Sequence, residues 1–317
     1  MKKQVRMVLV FVAVIFMLSG CGTEEELAAA QEAADAYNAQ VAVYNEELIA
    51  YNEAVQAVAA ANEELDSAID AAQTALNQGE EPYDPETETA LASAISDARS
   101  AEISVPDEIA DEAEVTVDEE ASKSELEAFT EEITEELELL AAQEVPEIPD
   151  IPDYSEYITA LEDTLQAYET SIISLQQITA PSDDFVIERL QTIETITEIA
   201  AVTEDHDPNG KLNKQGGYIG CIYFTDSQVD RSQLYIEEGE DNVIDVGTIG
   251  GGAVEIFSNV EDAETRDAYL GMFDGTFVAT GSHYVVGTLV IRVSDELTAS
   301  QQLDLTDQII SALIEVK

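Results

Sequence analysis

Between residues 24 and 77 the chain contains neither proline nor glycine. A run of that length, rich in Ala, Glu and Gln, has one long helix as its simplest fold. Val41, Leu48, Val55, Asn62, Ile69 and Leu76 recur every seven residues, interleaved with Tyr37, Tyr44, Tyr51, Val58 and Leu65. A heptad seam of this kind is a narrow apolar stripe that must be covered by another element. Tyr37-Asn38, Tyr44-Asn45 and Tyr51-Asn52 form a short repeat along it. Tyrosines at this period read as a packing seam rather than as a ligand platform.

Gly79, Pro82 and Pro85 interrupt the helix, and a second begins near Glu86 with Ala90, Leu91, Ala94, Ile95 and Ala98 on one face. The segment around Pro106 is so acidic that it reads as a mobile loop. A third helix is expected over 122–142 through Leu126, Phe129, Ile133, Leu137 and Leu140. Pro146, Pro149 and Pro152 make a stiff hinge. Beyond it Tyr154, Ile158, Leu161, Leu165, Tyr168, Ile172 and Leu175 keep a four-three alternation. At 1.5 Å per residue the first helix is ~80 Å long, and helices 122–142 and 153–178 together make ~70 Å. The chain is therefore expected to rise along residues 21–61, turn through a three-helix tip at 62–142, and return over 143–178 against the Tyr/Val seam. A parallel homodimeric coiled coil satisfies the same seams. Tyr83-Asp84-Pro85-Glu86-Thr87 with Ala90-Leu91 and Ala94-Ile95, flanked by helices, resembles the three-helix FIVAR modules of Gram-positive surface proteins. Such modules serve as spacers or adhesion-associated repeats, so the resemblance implies presentation rather than chemistry.

After Ala180-Pro181 the texture changes: glycines return, alanine thins and β-branched runs appear. Residues 181–317 read as a separate α+β domain. Ser182 can cap a short helix, strands are expected at 196–202, 217–224, 253–257 and 284–293, and Asn259 can cap a helix over 260–272. Thr298 and Gln301 form a capping box for a last helix. This order implies a mixed sheet covered by helices. The stretches 199–205, 207–210, 212–218, 250–252, 273–275, 281–283, 285–288 and 297–302 are similar to the C-terminal domain of uncharacterised surface lipoproteins of Gram-positive bacteria. That likeness implies kinship without a mechanism.

The N-terminus gives the chain an address. Lys2, Lys3 and Arg6 precede an apolar run over 7–18, which is short of the ~20 residues needed to span a bilayer and has the form of an export signal over residues 1–20. Leu18-Ser19-Gly20-Cys21 resembles the lipobox of bacterial lipoproteins, which implies lipidation of Cys21 and cleavage just before it. Losing the three basic residues deepens a formal net charge that is already −56. Such a balance argues against nucleic acid and against electrostatic attachment to anionic lipid, and it attracts cations. Only two cysteines exist, so Cys221 has no intramolecular partner once Cys21 carries lipid; it reads as a small buried apolar residue.

Among candidate sites, Asp205, Asp207 and Asn209 followed by Gly210 reproduce the first positions of an EF-hand loop and could ligate calcium. The twelfth position is Gly216 where a bidentate Glu belongs, and Asx-turn chemistry is the other reading of the same residues. Residues 247–252 lack the Gly-Lys-Ser/Thr ending of a phosphate loop and read as a backbone bend. Ser282 and His283 are neighbours on a strand and point to opposite faces. Asp205 or Asp274 could orient His283 if the fold brought them together. Arg266 and Arg292 could anchor a carboxylate or phosphate, or pair with local acids. The sequence thus points to a lipid-anchored extracellular protein that meets a protein or glycan through binding or scaffolding. Its alternative is an envelope hydrolase built around Asp205, Asp207 and His283.

Overall fold

A computed structural model describes residues 23–236, 242–276 and 281–317; Cys21 and the signal lie outside them. The described chain falls into two compact units. One comprises residues up to Glu64 together with Ile103–Asp153, and the other comprises Leu65–Glu102 with Tyr154–Lys317. Among the described residues, four helices precede the α+β domain: α1 (Glu24–Gln78), α2 (Pro85–Ala101), α3 (Lys123–Ala142) and α4 (Ser155–Gln177).

In the first unit the seam on α1 is buried as its heptads require. Tyr37, Val41, Tyr44 and Leu48 form one apolar cluster with Ile133, Leu137 and Leu140 of α3. The capping box at the start of α3 is closed by the Glu125 carboxylate, which accepts the Ser122 N–H at 2.8 Å. The other flank of α1 is covered by the acidic segment after Ile103, here termed the strap. It is not the free loop that its composition suggested. The side-chain amide of Asn38 donates to the carbonyl of Val115 and accepts from its N–H, both at 2.8 Å. Asn45 does the same to Glu112 at 2.9 and 2.9 Å, and Asn52 to Ile109 at 2.8 and 3.0 Å. Asn62 donates to the carbonyl of Ile103 at 2.7 Å.

Two periods coincide in this ladder. Seven helical residues advance about 10.5 Å, and three residues of a polyproline-type extended chain advance about 9.3 Å. Pro106, Ile109, Glu112 and Val115 are each half-buried between exposed neighbours. That spacing is the three-residue turn of a polyproline helix, not the two-residue alternation of a strand. One heptad beyond Asn52 stands Ala59, and one triplet before Ile109 stands Pro106, which has no N–H to offer. The asparagine is absent where its partner is.

In the second unit α2 packs on α4 and meets the last turns of α1, where Arg99 donates to the Gln73 side chain at 3.2 Å; Leu65, Ile69, Leu91, Ile95, Leu161, Tyr168 and Ile172 are buried. Asp84 caps α2 by accepting the Glu86 N–H at 3.0 Å. Ser171 near the end of α4 binds the start of α2, its carbonyl accepting the Tyr83 N–H at 3.0 Å and its hydroxyl the Asp84 N–H at 2.8 Å. The two helices are therefore antiparallel. The expected return of α4 along the Tyr/Val seam is corrected, since α3 and the strap occupy that seam. The helices expected to form one tip over 62–142 divide between the two units. Apolar periodicity shows that a face is covered, not by which element.

The α+β domain comprises α5 (Asp183–Leu190), β1 (Ile196–Ala201), β2 (Gly220–Asp226), α6 (Val243–Val246), β3 (Gly251–Ile256), α7 (Val260–Gly271), β4 (Ser282–Val286), β5 (Leu289–Val293) and α8 (Ala299–Ile314). The sheet runs β1-β2-β3-β5-β4, and every neighbouring pair is antiparallel. The expectation of a mixed sheet fails at one turn. Residues 284–293 are not a single strand but a hairpin, with Gly287 at φ 56° and Thr288 between the paired Val286 and Leu289. A glycine first in a two-residue turn suits the twist of a hairpin. Folding β5 back between β3 and β4 removes the parallel neighbours that the α7 crossover alone would create.

One face of the sheet packs Ile222, Phe224, Val254, Ile256, Ile291 and Val293 against α5 and α8. The other packs Cys221, Tyr223, Ala253 and Val290 against α6 and α7. Gly252 is where the sheet admits no side chain, since a Cβ there would stand 2.2 Å from the Arg292 carbonyl oxygen. The run of glycines is thus a close backbone approach entering a strand. Helix α4 is joined to this domain without a linker: the Thr288 N–H donates to the Ile178 carbonyl at 3.0 Å, and the Ser174 hydroxyl donates to that of Ile314 at 2.7 Å.

Candidate functional site

On the α7 face of the sheet, Tyr223, Ala253, Arg292 and His283 lie in one cross-strand row over β2, β3, β5 and β4. Cys221, Glu255 and Val290 form the adjacent row. Residues in register project to the same side, so the small Ala253 leaves space beside Arg292 and His283. Glu255 is 0% exposed. Arg266 of α7 grips it with two bonds, from Nε at 2.7 Å and Nη2 at 2.8 Å, and Arg292 adds a third from Nη1 at 3.1 Å. A carboxylate that deep persists only with charge-assisted partners. Two guanidinium groups against one carboxylate leave a single positive charge in surplus.

Above this floor His283 stands between two acids, with Nδ1 2.5 Å from Asp267 and Nε2 3.4 Å from Asp274. A cavity of about 250 Å³ is lined by Arg266, Tyr269, Phe273, Asp274, His283 and Arg292. A larger cleft of about 370 Å³ between α1 and α3 presents only Ala29, threonines and glutamates, without convergent groups of opposite charge. Ser282 does not join His283. Its neighbouring position on the strand sends it to the other face, where its Oγ is buried without a hydrogen-bond partner. Cys221 is fully buried, and burial, then the Glu255 charge, pushes its thiol well above the usual range, so no thiolate is at hand.

The loop at 205–213 is organised as a turn. Asp207 accepts the N–H groups of Asn209, Lys211 and Leu212 at 3.1, 2.6 and 2.8 Å, and the Tyr218 hydroxyl as well. The Asn209 amide donates to the Tyr223 hydroxyl at 3.0 Å, and Asp205 is exposed. The two sequence-predicted partners of Asp205 are therefore committed to their own backbone and to tyrosines. Among the described residues, no group of three or more His, Cys, Asp or Glu side chains gathers as a metal site. Nor do Asp205 and Asp207 meet His283, whose partners are Asp267 and Asp274. Asn209 alone from that loop reaches the cavity.

Burial alone would raise the Asp207 carboxyl, but the Tyr218 hydroxyl and the three N–H groups outweigh it and hold it below the ordinary aspartate value. Its contribution to stability is therefore full above about pH 4 and is lost as pH falls through the depressed folded value. Asp207→Ala is expected to cost about 3 kcal/mol near neutrality, and measurably less at pH 2, as a shift in denaturant midpoint. Millimolar calcium leaves the wild-type midpoint where it was if the turn keeps these bonds. A calcium-dependent rise of several degrees in Tm would sink that assignment.

Glu255 and Asp267 escape a reading by motif. The available signal was a glutamate in the midst of the apolar run Gly250–Phe257, and the strand it belongs to is wholly buried. Such a residue demands a countercharge, and Arg266 and Arg292 are among the few cations the chain owns. No protein-family model, curated protein or solved structure matches this chain.

Proposed function

We propose that this is a lipid-anchored extracellular protein in which the helical segments present the α+β domain near the cell envelope, and that it works by binding rather than by catalysis. The observation that carries the reading is Leu18-Ser19-Gly20-Cys21 behind a short basic and apolar leader, with Cys21 the acceptor of a palmitate-type lipid. Among the described residues no helix is long and apolar enough to cross a membrane, which is consistent with a lipid as the sole anchor. The acidic balance supports a displayed surface that stays apart from its neighbours and from anionic lipid. The resemblance to Gram-positive surface lipoproteins agrees with this address.

Binding is favoured over turnover by how the reactive groups are placed. The hydroxyl beside His283 in sequence faces away and the thiol is buried, so neither nucleophile stands against the imidazole. The cavity over Glu255, Arg266 and Arg292 is the place where a ligand would meet fixed charge.

Cys21→Ala is expected to move the protein from the membrane fraction to the medium or to an uncleaved precursor, and to abolish labelling by an alkyne-tagged fatty acid. Retention of both label and membrane association in that variant would remove the lipid-anchor reading.

A further inference from the structure

We propose that the cavity beneath α7 binds a small zwitterion, a free α-amino acid with an apolar side chain, its carboxylate on Arg266 and its ammonium on Asp274. The site is the pocket already assigned to binding, and the proposal rests on that assignment. Its first support is the fixed geometry of the floor. Glu255 holds Arg266 through Nε and Nη2, so the plane of the guanidinium is set before any ligand arrives. Its Nη1 has no hydrogen-bond partner among the described residues, and the side chain lines the cavity. A planar donor that is already oriented loses little freedom on meeting a carboxylate.

The second support is charge of the opposite sign lining the same cavity. Asp274 lines the same cavity with its side chain 59% exposed, and its contact with His283 is long at 3.4 Å. A simple anion placed here would meet the surplus charge of the floor but also Asp267 and Asp274, and would approach through the field of a strongly acidic chain. A simple cation would be drawn in by that field but would face two guanidinium groups. A molecule carrying both charges, with no net charge, satisfies floor and rim together and is not repelled on approach.

The third support is the wall. Tyr269 and Phe273 stack edge to face, with ring centroids 5.2 Å apart, and Tyr269 is 49% exposed. They offer aromatic surface to a side chain. The volume of about 250 Å³ lies below the range of drug-sized pockets and suits a single amino acid rather than a peptide or a glycan.

The test is calorimetric titration of the full chain in detergent with three probes: phenylalanine, phenylacetate, which lacks the ammonium, and phenethylamine, which lacks the carboxylate. Phenylalanine is expected to bind saturably, with each of the others at least about tenfold weaker. Asp274→Asn leaves the buried triad untouched and is expected to weaken phenylalanine by about tenfold while strengthening phenylacetate, from which it removes a like charge. Tyr269→Ala, which removes the aromatic wall and the ring against which the Arg266 guanidinium lies, is expected to weaken phenylalanine. If phenylacetate binds as tightly as phenylalanine, or Asp274→Asn strengthens phenylalanine, the pocket is a plain anion site; the zwitterion is then overturned while the binding reading stands. If none of the three probes saturates the protein at millimolar concentration, the zwitterion is overturned and the pocket loses its assignment to binding.

Discussion

Replacing Glu255 by alanine is expected to lower the unfolding free energy by about 3–5 kcal/mol, the range seen when one partner of a buried ionic group is removed. In a domain of this size that corresponds to a fall in Tm of about 10 °C. The loss does not come from three hydrogen bonds alone. Arg266 and Arg292 converge on the carboxylate at 2.7, 2.8 and 3.1 Å, and without it two guanidinium groups repel one another with little water to screen them. The same reasoning gives a control. Substituting all three, Glu255→Leu with Arg266→Leu and Arg292→Met, removes the uncompensated charge along with its partner and is expected to recover most of the lost stability. A single substitution that costs less than about 1 kcal/mol would show that the carboxylate is not the countercharge of the floor.

The asparagine ladder predicts the second large effect. The rungs at Asn38, Asn45 and Asn52 each exchange two hydrogen bonds with the strap backbone. Loss of one rung by Asn45→Ala is expected to cost about 2 kcal/mol. Loss of three, by Asn38→Ala, Asn45→Ala and Asn52→Ala together, is expected to release the strap altogether. The readout is local: amide exchange at Ile109, Glu112 and Val115 accelerates, and proteases cut between them, while α1 stays helical. Asn45→Asp keeps the acceptor but loses the donor to the Glu112 carbonyl, and it places a negative charge on α1 against an acidic strap, so it should cost more than alanine. If the triple variant retained slow exchange at those three amides, side-chain packing of Ile109 and Val115 would be holding the strap instead.

The ladder also shows where sequence reasoning stopped. The proline-free run over 24–77, the apolar spacing over 122–142 and the capping residues Ser182, Asn259 and Thr298 placed α1, α3, α5, α7 and α8 closely, because these signals act within a few residues of the element they define. The repeated Tyr-Asn pairs were visible too, but their tyrosines drew the inference toward a helical partner. The asparagines carried the other half of the information, since a side chain with one donor and one acceptor at heptad spacing can serve an extended backbone as neatly as an apolar one serves a helix. The composition of the strap concealed this: its acids face water and say nothing of its backbone. In the α+β domain the same limit appears at Gly287-Thr288, where two turn residues inside a β-branched run decided whether the sheet was mixed or antiparallel. For the site, His283, Arg266, Arg292 and Asp274 had each been singled out, yet what unites them is Glu255 and the cross-strand row. That relation belongs to strand register, which no single stretch encodes.

A ladder with unequal steps on its two sides behaves like a pair of meshed gears. Seven residues of α1 correspond to three of the strap, so a single insertion in either between Asn38 and Asn52 throws every later tooth out of mesh. The lineage of such a chain can lengthen or shorten this region only in coupled packets, one heptad of α1 together with one triplet of the strap, each worth about 10 Å. Reach, in a protein built this way, is counted in whole teeth.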